Sequence, residues 1–133
     1  MNMKQGFSNV FIVDDDDFWT ELLKGTLNDM GVMSVKTFST AIDCLKNLHK
    51  DPELIFLDYQ MDDLNGLELL KQIKRNHYDA RVIFCTAHEN LALACSAIRF
   101  GSMDYILKST LSRESIDDIL KNVEESIGSG LIH

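Results

Sequence analysis

The sequence predicts an α/β fold in which a parallel five-stranded sheet lies between two layers of helices. One observation on the sequence and one rule of chain topology lead to this prediction. Short, continuously apolar runs alternate five times with longer segments of helical period, a pattern typical of a parallel sheet covered on both faces. Right-handed crossovers between such units place helices on both sides of the sheet. The expected architecture is therefore a three-layer αβα sandwich.

The predicted strands are short runs of β-branched, aliphatic and aromatic residues, as expected of strands buried on both faces. They are Val10–Val13, about Met33–Phe38, Leu54–Leu57, Val82–Cys85 and Tyr105–Leu107. Each run is followed by a segment with helical spacing of apolar residues, so the strand–helix unit repeats along the whole chain.

The predicted helices are recognised by their apolar spacing and by capping residues at their ends. They run from about Phe18 to Met30, from a Ser39 cap to Leu48, from near Gly66 after an Asn65 cap, from Asn90 to Phe100, and from a Ser112 cap to Ile127. Gly31 and Gly101 are placed to end the first and fourth helices. The inward faces are predicted to carry Phe18, Leu22, Leu23, Leu27 and Met30 in the first helix, and Ala41, Ile42, Leu45 and Leu48 in the second.

The length of 133 residues fits one domain, for which we predict residues 8–128, with flexible tails at 1–7 and 129–133.

The formal charge of −8 argues against direct binding to nucleic acid or anionic membrane, because such a surface repels phosphate. Cys44, Cys85 and Cys95 lie in apolar segments without C-x-x-C spacing, which predicts buried, reduced thiols. With no secretory signal or membrane-length apolar run, we predict a cytoplasmic protein.

Polar residues stand at the predicted strand ends. Asp14 and Asp15 follow the first strand, Asp58 the third, Thr86 the fourth and Lys108 the fifth. Open parallel sheets bind ligands outside the carboxyl ends of their strands, so these side chains are expected to share one pocket. Each of them taken singly also fits a simpler role: a solvated helix start for the acidic run, a local hydrogen bond for Thr86 and a surface position for Lys108.

The chemistry of this set points to phosphoryl transfer on a metal site. Clustered carboxylates repel one another, and a divalent cation relieves the repulsion, with Mg²⁺ the default ion for oxygen ligands. An ionised Asp58 is a nucleophile that needs no general base and forms an aspartyl phosphate. Lys108 and the Thr86 hydroxyl are suited to stabilise the phosphoryl oxygens.

Four segments of the chain resemble the signatures of the response-regulator receiver domain, the CheY-like module of two-component signal transduction. They are Phe11–Asp17 with Glu21–Leu23, Leu57–Met61 through Asn65–Leu70, Val82–Ala87, and Gly101–Lys108. Their order and spacing match over about Asn9 to Ile127. The resemblance implies a flavodoxin-like (βα)5 fold with strand order 2-1-3-4-5.

The resemblance also implies a role for each matching residue. Asp58 would be the phosphoacceptor, with Thr86 and Lys108 binding the phosphoryl group. Asp15 would bind Mg²⁺ directly, Asp14 would assist, and the backbone carbonyl of Gln60 would complete the protein ligands. Tyr105 would be the switch residue that alters the surface of helix four, strand five and helix five.

Partners are implied in the same way. A sensor histidine kinase or phosphotransfer protein would donate the phosphoryl group. The output would be a downstream effector protein, or a covalently linked output domain outside this chain. The domain would act in a phosphorelay as a signalling phosphoprotein rather than as an enzyme.

Three residues depart from the family pattern. Asp17 and Asp62 stand where proline is common, and Ser109 follows Lys108 where the family usually has a cis proline. A cis bond before a residue other than proline costs about 2.5–4 kcal/mol, so the sequence leaves open whether the Lys108–Ser109 bond is cis or trans and how Lys108 is aimed. We expect activation to persist in either case, because the lysine charge and the Thr86 hydroxyl remain.

Two other functions stay open at this point. One is a pseudo-receiver that binds a partner without phosphorylation, which the Ser109 departure favours weakly. The other is a small aspartyl-phosphate phosphatase, which generally needs an acidic residue two positions after the nucleophile. That position is Gln60, which argues against it.

Overall fold

The computed structural model describes residues 7, 9–76 and 79–129. Within this part of the chain, five strands alternate with five helices. The strands are β1 (Val10–Val13), β2 (Val35–Phe38), β3 (Leu54–Asp58), β4 (Arg81–Thr86) and β5 (Asp104–Leu107). The helices are α1 (Asp17–Asp29), α2 (Ala41–Lys46), α3 (Gly66–Asn76), α4 (Leu91–Arg99) and α5 (Arg113–Ser129), with short 3-10 turns at Leu48–Lys50 and Lys108–Thr110.

All strand pairs are parallel, and the sheet order is β2-β1-β3-β4-β5. The predicted fold class and strand order are both confirmed. The order reverses between β1 and β3, so α1 and α5 cover one face while α2, α3 and α4 cover the other. This reversal opens a crevice at the carboxyl ends of β1 and β3, where open α/β sheets bind their ligands.

Alternation along the central strands divides the apolar interior into two cores, because successive side chains point to opposite faces. Ile12, Phe56 and Ile83 belong to the α1/α5 core, where they pack with Leu27 and Leu120. Phe11, Leu57, Phe84, Leu70 and Ile73 belong to the α2/α3/α4 core. β1 and β3 are buried along their whole length, as their continuous apolar sequence predicts.

The inward face of α1 was predicted wrongly at two positions. Leu23 and Leu27 are buried, but Phe18 is 79% exposed and Leu22 is 58% exposed. At 100° per residue Phe18 lies about 140° from Leu23 around the helix axis, so one face cannot hold both.

The second helix also differs from the prediction. It begins after Thr40, not Ser39, because the Thr40 hydroxyl accepts a hydrogen bond from the Asp43 N–H. Ile42 is half exposed, since the helix buries its opposite side through Ala41 and Cys44. The predictions for α3 and α5 hold, with Asn65 and Ser112 accepting the expected capping bonds from Glu68 and Ser115.

The predicted tails and cysteines need correction as well. Phe7, assigned to the N-terminal tail, is buried in the α1/α5 core, and Ser129, assigned to the C-terminal tail, is the last residue of α5. The remaining tail residues, 1–6 and 130–133, lie outside the described part of the chain.

Cys44 and Cys85 are buried as predicted, but Cys95 is exposed because α4 turns Ala97 towards the sheet instead. Among the described residues, no helix is long and apolar enough to cross a membrane.

Candidate functional site

The acidic run after β1 places its four aspartates in four different settings. Asp14 is buried and Asp15 is exposed at the mouth of the crevice. Asp16 is the N-cap of α1, where its carboxylate accepts a bond from the Trp19 N–H (3.1 Å). Asp17 is the first helical residue, where a negative charge favours the helix dipole. The solvated helix start therefore accounts for the last two aspartates, and the first two belong to the pocket.

Asp58, the last residue of β3, lies beside this pair and is also buried. Carboxylate oxygens of Asp14, Asp15 and Asp58 lie within 4.8 Å of one another. The register explains the proximity, because β1 and β3 are adjacent and end side by side. The predicted convergence of three carboxylates from two strands is what the structure shows.

Lys108 supplies the positive charge of the site. Its Nζ lies 2.7 Å from Asp14 Oδ2 and 3.6 Å from Asp58 Oδ1. No cis peptide bond occurs among the described residues, so the bond before Ser109 is trans. With this bond Lys108 points into the carboxylate cluster.

Trp19 covers the lysine from the α1 side. Lys108 Nζ lies 4.9 Å from the centre of the indole ring, a distance at which a cation is attracted to an aromatic face. The Trp19 side chain is partly buried on α1. Its contact with Lys108 depends on how α1 packs against the end of β5, which no local pattern reveals.

The electrostatics of the cluster disfavour three ionised carboxylates. Burial, together with the nearby charges of Asp14 and Asp15, raises the pKa of Asp58 to about 7 despite the lowering effect of Lys108. Burial also raises the pKa of Asp14, against the ion pair with Lys108 and the bond donated by the Asp16 N–H. Desolvation lowers the pKa of Lys108, but its acidic partners outweigh this and the net shift is upward. A pocket with two buried carboxyl groups and one cation is suited to a second cation.

Thr86 and Tyr105 contact the same residue of the loop after β4. The buried Thr86 hydroxyl accepts a bond from the His88 N–H (3.4 Å). The Tyr105 hydroxyl, farther along the sheet edge, donates to the His88 carbonyl (3.3 Å). The Tyr105 ring stacks on Phe84 with centroids 6.1 Å apart. Tyr105 is therefore outside the carboxylate cluster but is linked to Thr86 through His88.

The loop between β3 and α3 forms the other wall of the crevice. Gln60 is exposed and lines the opening together with Asp15, Asp58 and Lys108. Gly66 closes the loop, donating to the Tyr59 carbonyl (2.7 Å). A Cβ at Gly66 would collide with the Asp58 carbonyl oxygen and lie 2.8 Å from Tyr59 Cα. This glycine lets α3 begin directly against the strand end that carries Asp58.

With this geometry established, comparison with known proteins decides the family. The family model of the response regulator receiver domain matches residues 10–121. The chain belongs to the receiver domain family. The resemblance of the four sequence segments is thereby confirmed.

Known proteins agree with this assignment. The luminescence regulatory protein LuxO of Vibrio campbellii is 33% identical over 73% of this chain and 21% of its own length. The DNA-binding transcriptional regulator NtrC of Escherichia coli is 36% identical over 89% of this chain and 24% of its own length. The crystal structure of the receiver domain of NtrX from Brucella abortus superposes with a TM-score of 0.80, at 32% identity, covering 88% of this chain and 98% of that one.

This receiver domain thus spans about a quarter or less of the length of these curated relatives. Family membership supports phosphoryl acceptance in two-component signalling as its function. The donor set of the crevice, which consists of oxygen atoms with a surplus of negative charge, is compatible with Mg²⁺.

Proposed function

We propose that this receiver domain accepts a phosphoryl group on Asp58 in a Mg²⁺-dependent reaction and passes the signal on through a changed surface. The observation that carries the proposal is the convergence of Asp58, two further carboxylates and Lys108 at the switch point of the sheet. The sheet topology brings these groups from three strands to one crevice. An acidic surface cluster with an unrelated role would not need this convergence.

The metal would be held by Asp15, Asp58 and the Gln60 carbonyl, with Asp14 assisting from the buried side. This assignment is supported by the close approach of the three carboxylates and by the position of Gln60 on the crevice wall. When bound, Mg²⁺ would supply positive charge to the phosphoryl oxygens. It would also keep Asp58 ionised at neutral pH, since a nearby cation lowers the pKa of a carboxyl group.

The chemical step is a displacement at phosphorus. An oxygen of ionised Asp58 forms the new P–O bond while the P–N bond to the donor's phosphohistidine breaks, and its electron pair stays on the imidazole. Asp58 has no proton to lose, so no general base is required. Lys108, near both Asp14 and Asp58, would shift towards the new phosphoryl oxygens, and the Thr86 hydroxyl would donate to one of them.

Signal output would follow from the movement of Thr86. Turning its hydroxyl towards a phosphoryl oxygen breaks its contact with the His88 N–H, and the His88 carbonyl is the acceptor of the Tyr105 hydroxyl. Tyr105 also lines a groove between α4, β5 and α5, together with apolar residues such as Ile106 and the acidic residues Glu89, Asp104 and Asp118. A rotation of Tyr105 would reshape this groove, which we propose as the contact surface for an effector or a linked output domain.

We propose that the chain is not itself an enzyme. A phosphatase acting through an aspartyl phosphate would need an acidic residue two positions after Asp58, and the amide side chain of Gln60 does not act as a general acid or base at neutral pH. A pseudo-receiver would not require the full set of acidic, hydroxyl and lysine side chains that stand at the strand ends.

Intact mass spectrometry after incubation with Mg²⁺ and acetyl phosphate tests the proposal. We expect one phosphoryl adduct that requires Mg²⁺ and is absent from the isosteric control Asp58→Asn. An adduct that persists in the control would place the reaction on another residue. If the wild-type protein formed no adduct and bound no Mg²⁺, the pseudo-receiver function would replace the proposal, whereas steady release of many equivalents of phosphate would favour the phosphatase.

A further inference from the structure

Asp63 joins the loop after β3 to the start of α2. One carboxylate oxygen, Oδ1, accepts a hydrogen bond from the Ala41 N–H (3.1 Å), and Oδ2 accepts one from the Ile42 N–H (2.9 Å). The two segments are more than 20 residues apart in sequence. Charge-assisted bonds of this kind are stronger than neutral ones, and they lower the pKa of Asp63 below its ordinary value.

These two bonds complete the N-terminus of α2. The first N–H groups of a helix have no partner within the helix. Here Ala41 and Ile42 donate to Asp63, Asp43 donates to the Thr40 hydroxyl, and Cys44 donates to the Thr40 carbonyl. α2 has 6 residues, and helices this short are marginal without outside contacts. The two hydrogen bonds of Asp63 therefore attach the loop to the N-terminus of α2.

The same loop carries the wall of the proposed metal site. Gln60 stands three positions before Asp63, and both lie between Asp58 and the start of α3. The base of the loop is closed by the Gly66 N–H bond to the Tyr59 carbonyl. Met61 and Leu64 rest half-buried on the α2/α3/α4 core. Apolar contacts of this kind are non-directional, and Asp63 adds two directional hydrogen bonds to them.

We infer that Asp63 is a positioning residue, which clamps the β3–α3 loop to α2 and so holds the Gln60 carbonyl in place for Mg²⁺. The inference rests on the proposed function, since it names a residue that supports the same site. Asp63 itself need not touch the metal, because its two oxygens are already engaged by α2. Outer groups that orient metal ligands commonly affect affinity by a factor of ten or more.

The test separates clamping from simple support of α2. Asp63→Ala removes two bonds to the start of α2 and frees the loop, whereas the matched control Thr40→Ala removes a bond at the same helix start and leaves the loop attached. Mg²⁺ titrations would follow the fluorescence of Trp19, the only tryptophan of the chain, whose ring lies against Lys108. Thermal unfolding and amide hydrogen exchange of residues 59–65 would be measured on the same samples.

We expect both variants to lower the unfolding midpoint by about 3–5 °C, the effect of losing a helix cap. Asp63→Ala should in addition weaken Mg²⁺ binding about tenfold and speed exchange in the loop, and Thr40→Ala should do neither. Asp63→Asn, which retains one acceptor oxygen, should give an intermediate affinity.

Equal Mg²⁺ affinities for the two alanine variants would overturn the clamp and leave Asp63 as a helix cap. Absence of Mg²⁺ binding by the wild-type protein would instead show that the proposed metal site is wrong, and the clamp would fall with it. The wild-type titration alone tells these two failures apart.

Discussion

The interior of the sheet and its carboxyl edge follow opposite physical rules. In the interior, side chains such as Phe56 and Leu57 are apolar and buried. They carry no polar atom that needs a hydrogen-bond partner. At the edge, only a few residues further along the same strands, Asp14 and Asp58 are buried as carboxyl groups with one lysine between them. Hydrophobic burial stabilises the first region, whereas desolvated charge destabilises the second. The interior therefore maintains the fold, whereas the edge carries a surplus of buried negative charge that the proposed Mg²⁺ would offset.

The largest loss of stability is expected from a substitution in the apolar interior. Phe56→Ala should lower the free energy of unfolding by about 3–5 kcal/mol, because it removes a fully buried ring and leaves a cavity. Phe18→Ala, the same substitution at a ring that is 79% exposed, should change it by less than about 0.5 kcal/mol. Urea unfolding of the two variants measures the contrast, and similar losses would contradict the observed burial.

A smaller loss of stability, one that depends on pH, is expected from a substitution at the carboxyl edge of the sheet. Lys108→Met should destabilise the protein by about 2–3 kcal/mol at pH 8, since it leaves Asp14 and Asp58 without their cation. Removing Lys108 raises the pKa of both carboxyl groups further above the value in the unfolded chain. A carboxyl group with a raised pKa binds more protons in the folded state, so stability falls as pH rises through that interval. The loss should therefore be greater at pH 8 than at pH 5.

Lys121→Met is the control for this pH dependence. Lys121 forms an exposed pair with Asp117 one turn away on α5, where screening keeps the contribution small. Its pH profile of unfolding should parallel that of the wild-type protein. A pH-independent loss in Lys108→Met would mean that the lysine contributes through packing on Trp19, not through its charge.

The sequence predicted the edge better than it predicted the helix surfaces. Asp58, Thr86 and Lys108 follow apolar runs that have only one plausible structure, so their places at the sheet edge follow from chain topology. Phe18 and Leu22 were misplaced because an apolar residue in a helix does not by itself determine which way the helix faces. Cys95 was misplaced for the same reason.

The contacts of two residues beside the site have no local signature. At Gly66, α3 starts against the Asp58 carbonyl, and the Asp63 carboxylate meets a helix start more than 20 residues away in sequence. Both depend on the relative placement of elements that sequence patterns predict only one at a time. The roles of Gln60 and Tyr105 in metal binding and switching remain predictions of the family resemblance.

Urea unfolding of the wild-type protein and Asp58→Asn, with and without Mg²⁺ at pH 8, tests whether the buried carboxylate of Asp58 belongs to a cation site. Burial and like charge raise the pKa of Asp58 from 3.8 to about 7, so its ionised form destabilises the metal-free fold at this pH. We expect Asp58→Asn to be more stable than the wild type without Mg²⁺, by about 1–2 kcal/mol. At Mg²⁺ a hundredfold above its dissociation constant, the wild type should gain about 2.7 kcal/mol and the variant much less, so the order should reverse. A variant that is less stable than the wild type without Mg²⁺, or an order that Mg²⁺ does not change, would contradict the account.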